Sequence, residues 1–302
     1  MSFSTDVKKE LAELEVTSPC CLHAQVYGLV LFAHFTKLDF SVKTENKTVY
    51  DLYCKCVEDY LGCRITEKKS GSKVYIAGVE SPDDIRRAFG KFGHTEKDMT
   101  LRINHANLQN ECCISAFLRG AFLACGSIAD PEKNYHLEFA TSHYRLCKDL
   151  ITLLGEINLS PKYIRRKGNH IVYFKDSENI EDLLTCIGAQ NASLILMNIK
   201  IEKDMNNRVN RMVNFDMHNI NKTISAAETQ KDAIYYIKGS IGLASLPPAL
   251  REAAELRIKN PEASLSELAS LSETSVSRSG MKHRLDRIVG LASELREKRE
   301  KQ

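Results

Sequence analysis

Apolar positions along this 302-residue chain fall into two similar blocks and a third of different character. Val26-Tyr-Gly-Leu-Val-Leu-Phe-Ala33 is the densest apolar run, suited to a buried helix and far short of the roughly 20 residues that span a bilayer. It lies within His23-Ala-Gln-Val-Tyr-Gly28-Leu-Val-Leu-Phe-Ala-His-Phe35, and the pattern returns 92 residues later as Ser115-Ala-Phe-Leu-Arg-Gly120-Ala-Phe-Leu-Ala-Cys-Gly-Ser127. The echo continues: Cys54 with Leu61-Gly62 matches Cys147 with Leu154-Gly155. Ile85, Phe89 and Gly93 match Ile180, Leu184 and Gly188. A repeat of this kind fixes architecture before any single element does.

Each block predicts a helix (22–35 and 112–127), a two-strand hairpin with the second strand of copy two near 135–142, and a helix. A second hairpin comes next around Gly71 or Gly168, then a closing helix capped by Ser81 or Ser177. The expected fold class is α+β: tandem pseudo-twofold αββαββα units, paired through helices whose Gly28 and Gly120 allow close approach. Beyond Gly188 the period is helical. Ser193 to Met212 predicts an exit helix, and the Asn-rich stretch from Asn214 to Thr223 predicts a hinge or ordered recognition loop. Helices are expected at Ala226–Ser240, Pro247–Asn260, Ser264–Leu271 and Ser275–Arg299, the third opened by the capping-box pattern Ser264-Leu-Ser-Glu267. The resulting division is 1–108 for the N-terminal helix and first repeat and 109–205 for the second repeat and exit helix. A linker at 206–225 and an all-α domain at 226–302 complete it.

A short helix, the three residues Ser272-Glu-Thr274 and a longer basic helix match the helix-turn-helix arrangement, whose second helix enters the major groove. With Leu265, Leu268, Ala269 and Leu271 packed on Val276, Met281, Leu285 and Ile288, the outward set is Ser275, Ser277, Arg278, Ser279, Lys282, His283, Arg284 and Arg287. Arginine and lysine there suit guanine edges or phosphates, and the serines and helix start suit phosphate oxygens. Double-stranded DNA is therefore the expected partner.

Charge sharpens this reading. The net charge of +3 divides into 26 Lys+Arg against 27 Asp+Glu up to Asp204, and 16 against 12 from Met205 onward. In the repeats, basic residues gather on the second hairpins: Arg64, Lys68, Lys69 and Lys73 in copy one, and Lys162, Arg165, Arg166 and Lys167 in copy two. No acid lies between Ile157 and Lys175. Lys162, Arg165, Arg166 and Lys167, with Arg208 and Arg211 of the exit segment, are candidates for secondary DNA contacts. The ten cysteines all precede Met205; they lack C-x2-C spacing and read as small core residues of a reducing compartment, with no metal and no cofactor expected. With no apolar span and no signal-like start, the expected location is cytoplasmic, at the nucleoid.

The segments Val26-Tyr-Gly-Leu-Val-Leu-Phe-Ala-His34 and Leu118-Arg-Gly-Ala-Phe-Leu-Ala-Cys-Gly126 resemble the LAGLIDADG motif of homing endonucleases. That resemblance implies a sheet saddle over DNA and acids near the helix ends that hold Mg²⁺. The acidic positions are Leu31 and Ala33 in copy one, and Leu123 and Cys125 in copy two. None can offer the hard oxygen ligands Mg²⁺ requires, and Asp39 and Asp130 lie beyond the motif. Together with Leu265-Ser-Glu-Leu-Ala and Ser275-Val-Ser-Arg-Ser-Gly-Met-Lys-His-Arg-Leu, the chain resembles the WhiA family of Gram-positive bacteria. This implies a non-catalytic DNA-binding protein of cell division and chromosome segregation, a transcription regulator in sporulating relatives. Two alternatives stay open: a metal-dependent endonuclease using other acids, and a scaffold whose repeat body binds another transcription or division protein.

Overall fold

The computed structural model describes residues 2–35, 40–70, 74–95 and 101–300. They divide into two compact units, within 1–203 and 204–302. In the first unit, α1 (Phe3–Ala12) is capped by the Ser2 side chain and buries Val7 and Leu11. The first repeat comprises α2 (Pro19–Leu31), β1 (His34–Phe35), β2 (Phe40–Thr44), α3 (Lys47–Lys55, prolonged by a π-turn at Cys56–Tyr60), β3 (Thr66–Ser70), β4 (Val74–Val79) and α4 (Pro82–Gly90). The second is α5 (Glu111–Cys125), β5 (Gly126–Ile128), β6 (Leu137–Thr141), α6 (Tyr144–Glu156), β7 (Lys162–Arg166), β8 (Asn169–Phe174) and α7 (Ser177–Ile187). Both repeats form antiparallel four-stranded sheets in the same order, β1-β2-β4-β3 and β5-β6-β8-β7. The αββαββα reading therefore holds in both copies.

The first helices end earlier than their apolar runs suggest, because the chain pairs as strand at His34 and at Gly126. Ser81 caps α4, while α7 is capped by the Asp176 side chain accepting from the Asn179 amide, so Ser177 is its first residue. α2 and α5 lie side by side and parallel at the centre. Their crossing leaves no room for a side chain: a Cβ on Gly28 would sit 2.2 Å from the Phe117 carbonyl oxygen, and one on Gly120 2.1 Å from that of Gln25. The buried core of this unit, from Val7 to Leu196, packs around that pair.

α8 runs unbroken from Gln190 to Ser240. The hinge expected at Asn214–Thr223 is helix instead. Asparagine costs a helix only about 0.5 kcal/mol relative to alanine, and no Gly or Pro interrupts the sequence from Gln190 to Lys238. Thr223 settles into the helix by donating its hydroxyl to the Asn219 carbonyl at 2.9 Å. The second unit is completed by α9 (Pro248–Lys259), α10 (Leu265–Ser270) and α11 (Arg278–Glu300). Its core joins Ala233, Ile234 and Ile237 with Leu250, Ala253, Leu268, Met281, Leu285 and Ile288. Arg257, only 2% exposed, ties three segments by donating to the Gln230 side-chain oxygen at 3.0 Å and the Ala263 carbonyl at 2.6 Å. No helix among the described residues is long and apolar enough to cross a membrane.

Candidate nucleic-acid interface

The capping box at the start of α10 is complete: the Ser264 hydroxyl accepts from the Glu267 amide, and the Glu267 carboxylate accepts from the Ser264 amide at 2.6 Å. The connection from α10 to α11 is longer than the three-residue turn expected. Seven residues, 271–277, separate the two helices, because Ser277 caps α11 by accepting from the Gly280 amide at 3.2 Å. Ser275 and Ser277 therefore precede the helix, and Leu271, expected inside, is 52% exposed. Leu268, Met281, Leu285 and Ile288 are buried as expected, and Leu265, Ala269 and Val276 pack partly against them.

The longer turn is held by one carboxylate. Glu252 on α9 accepts from the Ser272 hydroxyl at 2.5 Å, the Glu273 amide at 2.7 Å and the Thr274 hydroxyl at 3.1 Å. Its remaining capacity goes to Arg284, whose guanidinium donates to Glu252 at 3.1 Å and to Thr274 at 3.2 Å. The Ser272 hydrogen bond, followed by those from Thr274 and Glu273, holds the Glu252 carboxyl below the ordinary glutamate range. Arg284 is thus committed inward, its side chain only 19% exposed, and is removed from the outward set. Arg278, Ser279, Lys282, His283 and Arg287 remain exposed on α11. At 100° per residue Ser279, Lys282, His283 and Arg287 spread over the side away from Met281, Leu285 and Ile288, while Arg278 lies at the edge of that seam, exposed in the first turn, with Lys282 beside it four residues on. Asp286 stands among them, also exposed, a residue that counting cations alone overlooks. A carboxylate there can accept from a cytosine amino group and repels phosphate, so it favours base edges over backbone at that point.

Arg208 and Arg211 are exposed on α8, three residues apart on one face. Asn207, Asn214, Asn221 and Lys222 fall on the same side, so helix formation gathers the polar groups that a loop would have scattered.

The hairpin of the second repeat turns on Lys167 and Gly168, both with positive φ (50° and 85°), the two-residue geometry that matches strand twist. β7 is exposed along its whole length, but strand alternation divides its cations. Register places Lys162 beside Tyr173 and Arg166 beside Asn169, on the face that also carries Glu138. Arg165 points the other way, the side of Phe139 and Val172, with Tyr163 and His170; these two are hydrogen-bonded at 2.7 Å and lie against Tyr144 of α6. The outer face thus keeps Lys162 and Arg166, and Lys167 sits at the exposed turn. In copy one Arg64 is exposed, while Lys73 and the side chains of Lys68 and Lys69 lie outside the described residues.

The positions where the endonuclease motif carries its acids are filled by Leu31, Ala33 and Leu123, all buried, and by Cys125. Burial pushes the Cys125 thiol up to about 12. The Lys8 ammonium of α1 donates to the Leu123 carbonyl at 3.2 Å, placing a cation where a divalent metal would need carboxylates. Asp130 accepts from the Glu132 amide at 3.1 Å in the turn after β5, and Asp39 lies outside the described residues. These residues do not fit Mg²⁺.

A pseudo-twofold LAGLIDADG-like body followed by a helix-turn-helix domain defines the class to which the chain belongs. Family models agree in both parts: residues 114–206 match the WhiA LAGLIDADG-like domain and residues 209–292 the WhiA C-terminal HTH domain. The chain is 36% identical over 315 residues to a "Probable cell division protein WhiA" of Alkaliphilus metalliredigens, covering 99% of each. It is 38% identical over 314 residues to the protein of the same description from Clostridium botulinum, covering 98% of this chain and 99% of that one. The crystal structure of full-length DUF199/WhiA from Thermatoga maritima shares the fold, with a TM-score of 0.57 at 24% identity over 97% of this chain and 99% of that one. The chain belongs to the WhiA family.

Proposed function

We propose that this protein is a DNA-binding regulator of cell division with no nuclease activity. The observation that carries the reading is the first half of α11, where Arg278 and Lys282 are exposed four residues apart on one face while Arg284 and Glu252 fix the preceding turn. In this reading Arg278 and Lys282 engage base edges or phosphates in the major groove, and Ser279, His283 and Arg287 flank them. Ser275 and Ser277, at the helix entrance, offer hydroxyls and backbone amides to a phosphate. Arg208, Arg211, Lys162, Arg166 and Lys167 add phosphate contacts. The regulated processes are chromosome segregation and transcription, with sporulation where the host sporulates. The repeat body, 1–108 with 109–205, receives another transcription or division protein. The cytoplasm, at the nucleoid, is the place of action. The names of the two relatives support the cell-division part.

The test begins with selection of genomic fragments by the purified chain, followed by anisotropy titrations on the selected sites. Arg278→Ala and Lys282→Ala should each weaken binding about 10- to 100-fold, the equivalent of ~1–3 kcal/mol for a good base contact. Parent-like affinity in both variants at several salt concentrations would remove α11 from the interface. Incubation of the same sites with Mg²⁺ or Mn²⁺ should leave the DNA intact. Cleavage that depends on the protein would restore the endonuclease reading.

A further inference from the structure

The central helix pair has two ends. One carries Leu31, Ala33, Leu123 and Cys125; the other carries two vicinal cysteine pairs, Cys20-Cys21 in the first turn of α2 and Cys112-Cys113 in the first turn of α5. Because the helices run parallel, both pairs arrive at the same place. The Cys20 and Cys112 sulfurs are 3.9 Å apart, and those of Cys20, Cys112 and Cys113 all lie within 4.8 Å of one another. Each pair also reaches across to the other helix: the Cys21 thiol donates to the Cys112 carbonyl at 3.7 Å, and the Cys113 thiol to the Cys20 carbonyl at 3.8 Å. All four cysteines are free. A zinc–sulfur bond of about 2.3 Å places thiolates ~3.8 Å apart in a tetrahedral shell. One sulfur pair has that spacing already, and the third needs to close by about 1 Å.

The surroundings favour a first thiolate at Cys20, while the hydrogen bond with Cys21 holds the Cys112 thiol up and burial holds the Cys113 thiol up, so these two ionise only against a bound cation. Two helix N-termini direct their partial positive charge at the cluster. The Ser18 hydroxyl lies 3.1 Å from the Cys20 sulfur and brings that thiol down to about 7. Cys112 is exposed, Cys20 and Cys21 are half-buried, and Cys113 is buried, so the cluster opens to solvent on one side and is anchored on the other.

We propose that Cys20, Cys112 and Cys113, with Cys21 as fourth donor, form a binding site for a thiophilic divalent cation of the zinc type, stapling the two repeats at the start of their shared helix pair. Sequence spacing hides such a site, since it is assembled by the pseudo-twofold from halves 92 residues apart. Zinc suits it better than Mg²⁺ because soft sulfur donors select soft or borderline ions.

The test uses the full-length chain, reduced and stripped of metal, titrated with Co²⁺ and then Zn²⁺. The expected result is about one Co²⁺ per chain, the intense visible bands of tetrahedral cobalt thiolate, displacement of cobalt by Zn²⁺ and a higher Tm with zinc. The double variant Cys20→Ser/Cys112→Ser should lose the bands and the zinc-dependent rise in Tm. Cys54→Ser/Cys186→Ser, outside the cluster, should keep both. Circular dichroism in a chelator reports whether the double variant folds. Should it not, Cys112→Ser alone, at an exposed position, is expected to weaken cobalt at least tenfold. The proposal is overturned by a parent that shows no tetrahedral spectrum or by a spectrum that survives loss of the cluster cysteines.

Discussion

Glycine behaves differently in the two units of this molecule. In the repeat body, Gly28 and Gly120 are required by their neighbours: either Cβ would overlap a backbone oxygen of the opposite helix, at 2.2 and 2.1 Å. In the C-terminal unit, a Cβ on Gly290 of α11 would meet nothing within 4 Å. The contrast extends to chemistry. The body keeps the shape of its helix pair while the positions that would carry acids hold Leu31, Ala33, Leu123 and Cys125. The C-terminal unit separates its packing residues from an outward polar face on a single helix. In the body, geometry has been retained without the reactive groups; in α11 the two are arranged back to back.

The sharpest break in this comparison is a methyl group. Gly28→Ala or Gly120→Ala should destabilise the body by about 3 kcal/mol or more, because backbone on both sides must move. For a unit of this size that lowers Tm by roughly 6–12 °C. Gly290→Ala should instead be neutral or stabilise by about 0.5–1 kcal/mol, as expected for an exposed helical position. Equal Tm values for Gly28→Ala and Gly290→Ala would mean that the helix pair is not closely packed.

The next effect concerns the carboxylate that holds the turn before α11. Glu252→Ala leaves Arg284 half-buried without its carboxylate and frees the Ser272–Thr274 segment, at a cost of about 1–3 kcal/mol. DNA affinity should fall with it, because the entry angle of α11 is no longer fixed. The sign of its pH dependence comes from the depressed carboxyl. A group whose folded pKa lies below its unfolded value stabilises fully above the unfolded value, near 4.3, and loses that contribution as pH falls through the folded one. Denaturant midpoints between about pH 5 and pH 3 should therefore fall more steeply in the parent than in Glu252→Gln. Parallel slopes would show that Glu252 does not couple to folding.

These elements also show what the chain reveals before folding. The doubled helix with its glycine, the two hairpins, the capping box at Ser264 and the apolar seam of Leu268, Met281, Leu285 and Ile288 are written in local spacing, and all are found. Features set by partners distant in sequence are not. Nothing around Ser275 announces that Glu252, more than twenty residues earlier, holds the turn or that Ser277 caps the helix, so local spacing starts α11 three residues early. Arg284 reads as an outward cation until its partner is known. The Asn-rich stretch misleads for another reason: loop-like composition is a weak penalty, and without Gly or Pro the helix passes through it. The cysteine cluster is hidden because neither half has the spacing of a metal site. The division of the β7 cations is available from alternation alone, since Lys162 and Arg166 share a parity that Arg165 does not.

That parity supplies the smallest effect and the closest comparison between the two units. If the repeat body touches DNA through the outer face of its sheet, Lys162→Ala and Arg166→Ala should each weaken binding only a few-fold, without changing which sequence is preferred. Each should reduce the slope of log affinity against log salt by ~0.9, the signature of one lost phosphate contact. Arg165→Ala removes the same charge from the opposite face, beside Tyr163 and His170, and should leave that slope unchanged. Equal losses from Arg165 and Arg166 would show that only the net charge of the hairpin matters, a long-range attraction that high salt abolishes. No loss from any of the three would restrict DNA contact to the C-terminal unit, leaving the sheet face to a protein partner. A loss confined to Lys162 and Arg166 would mean that the body still uses its outer sheet face toward DNA after the acids of its helix pair have gone.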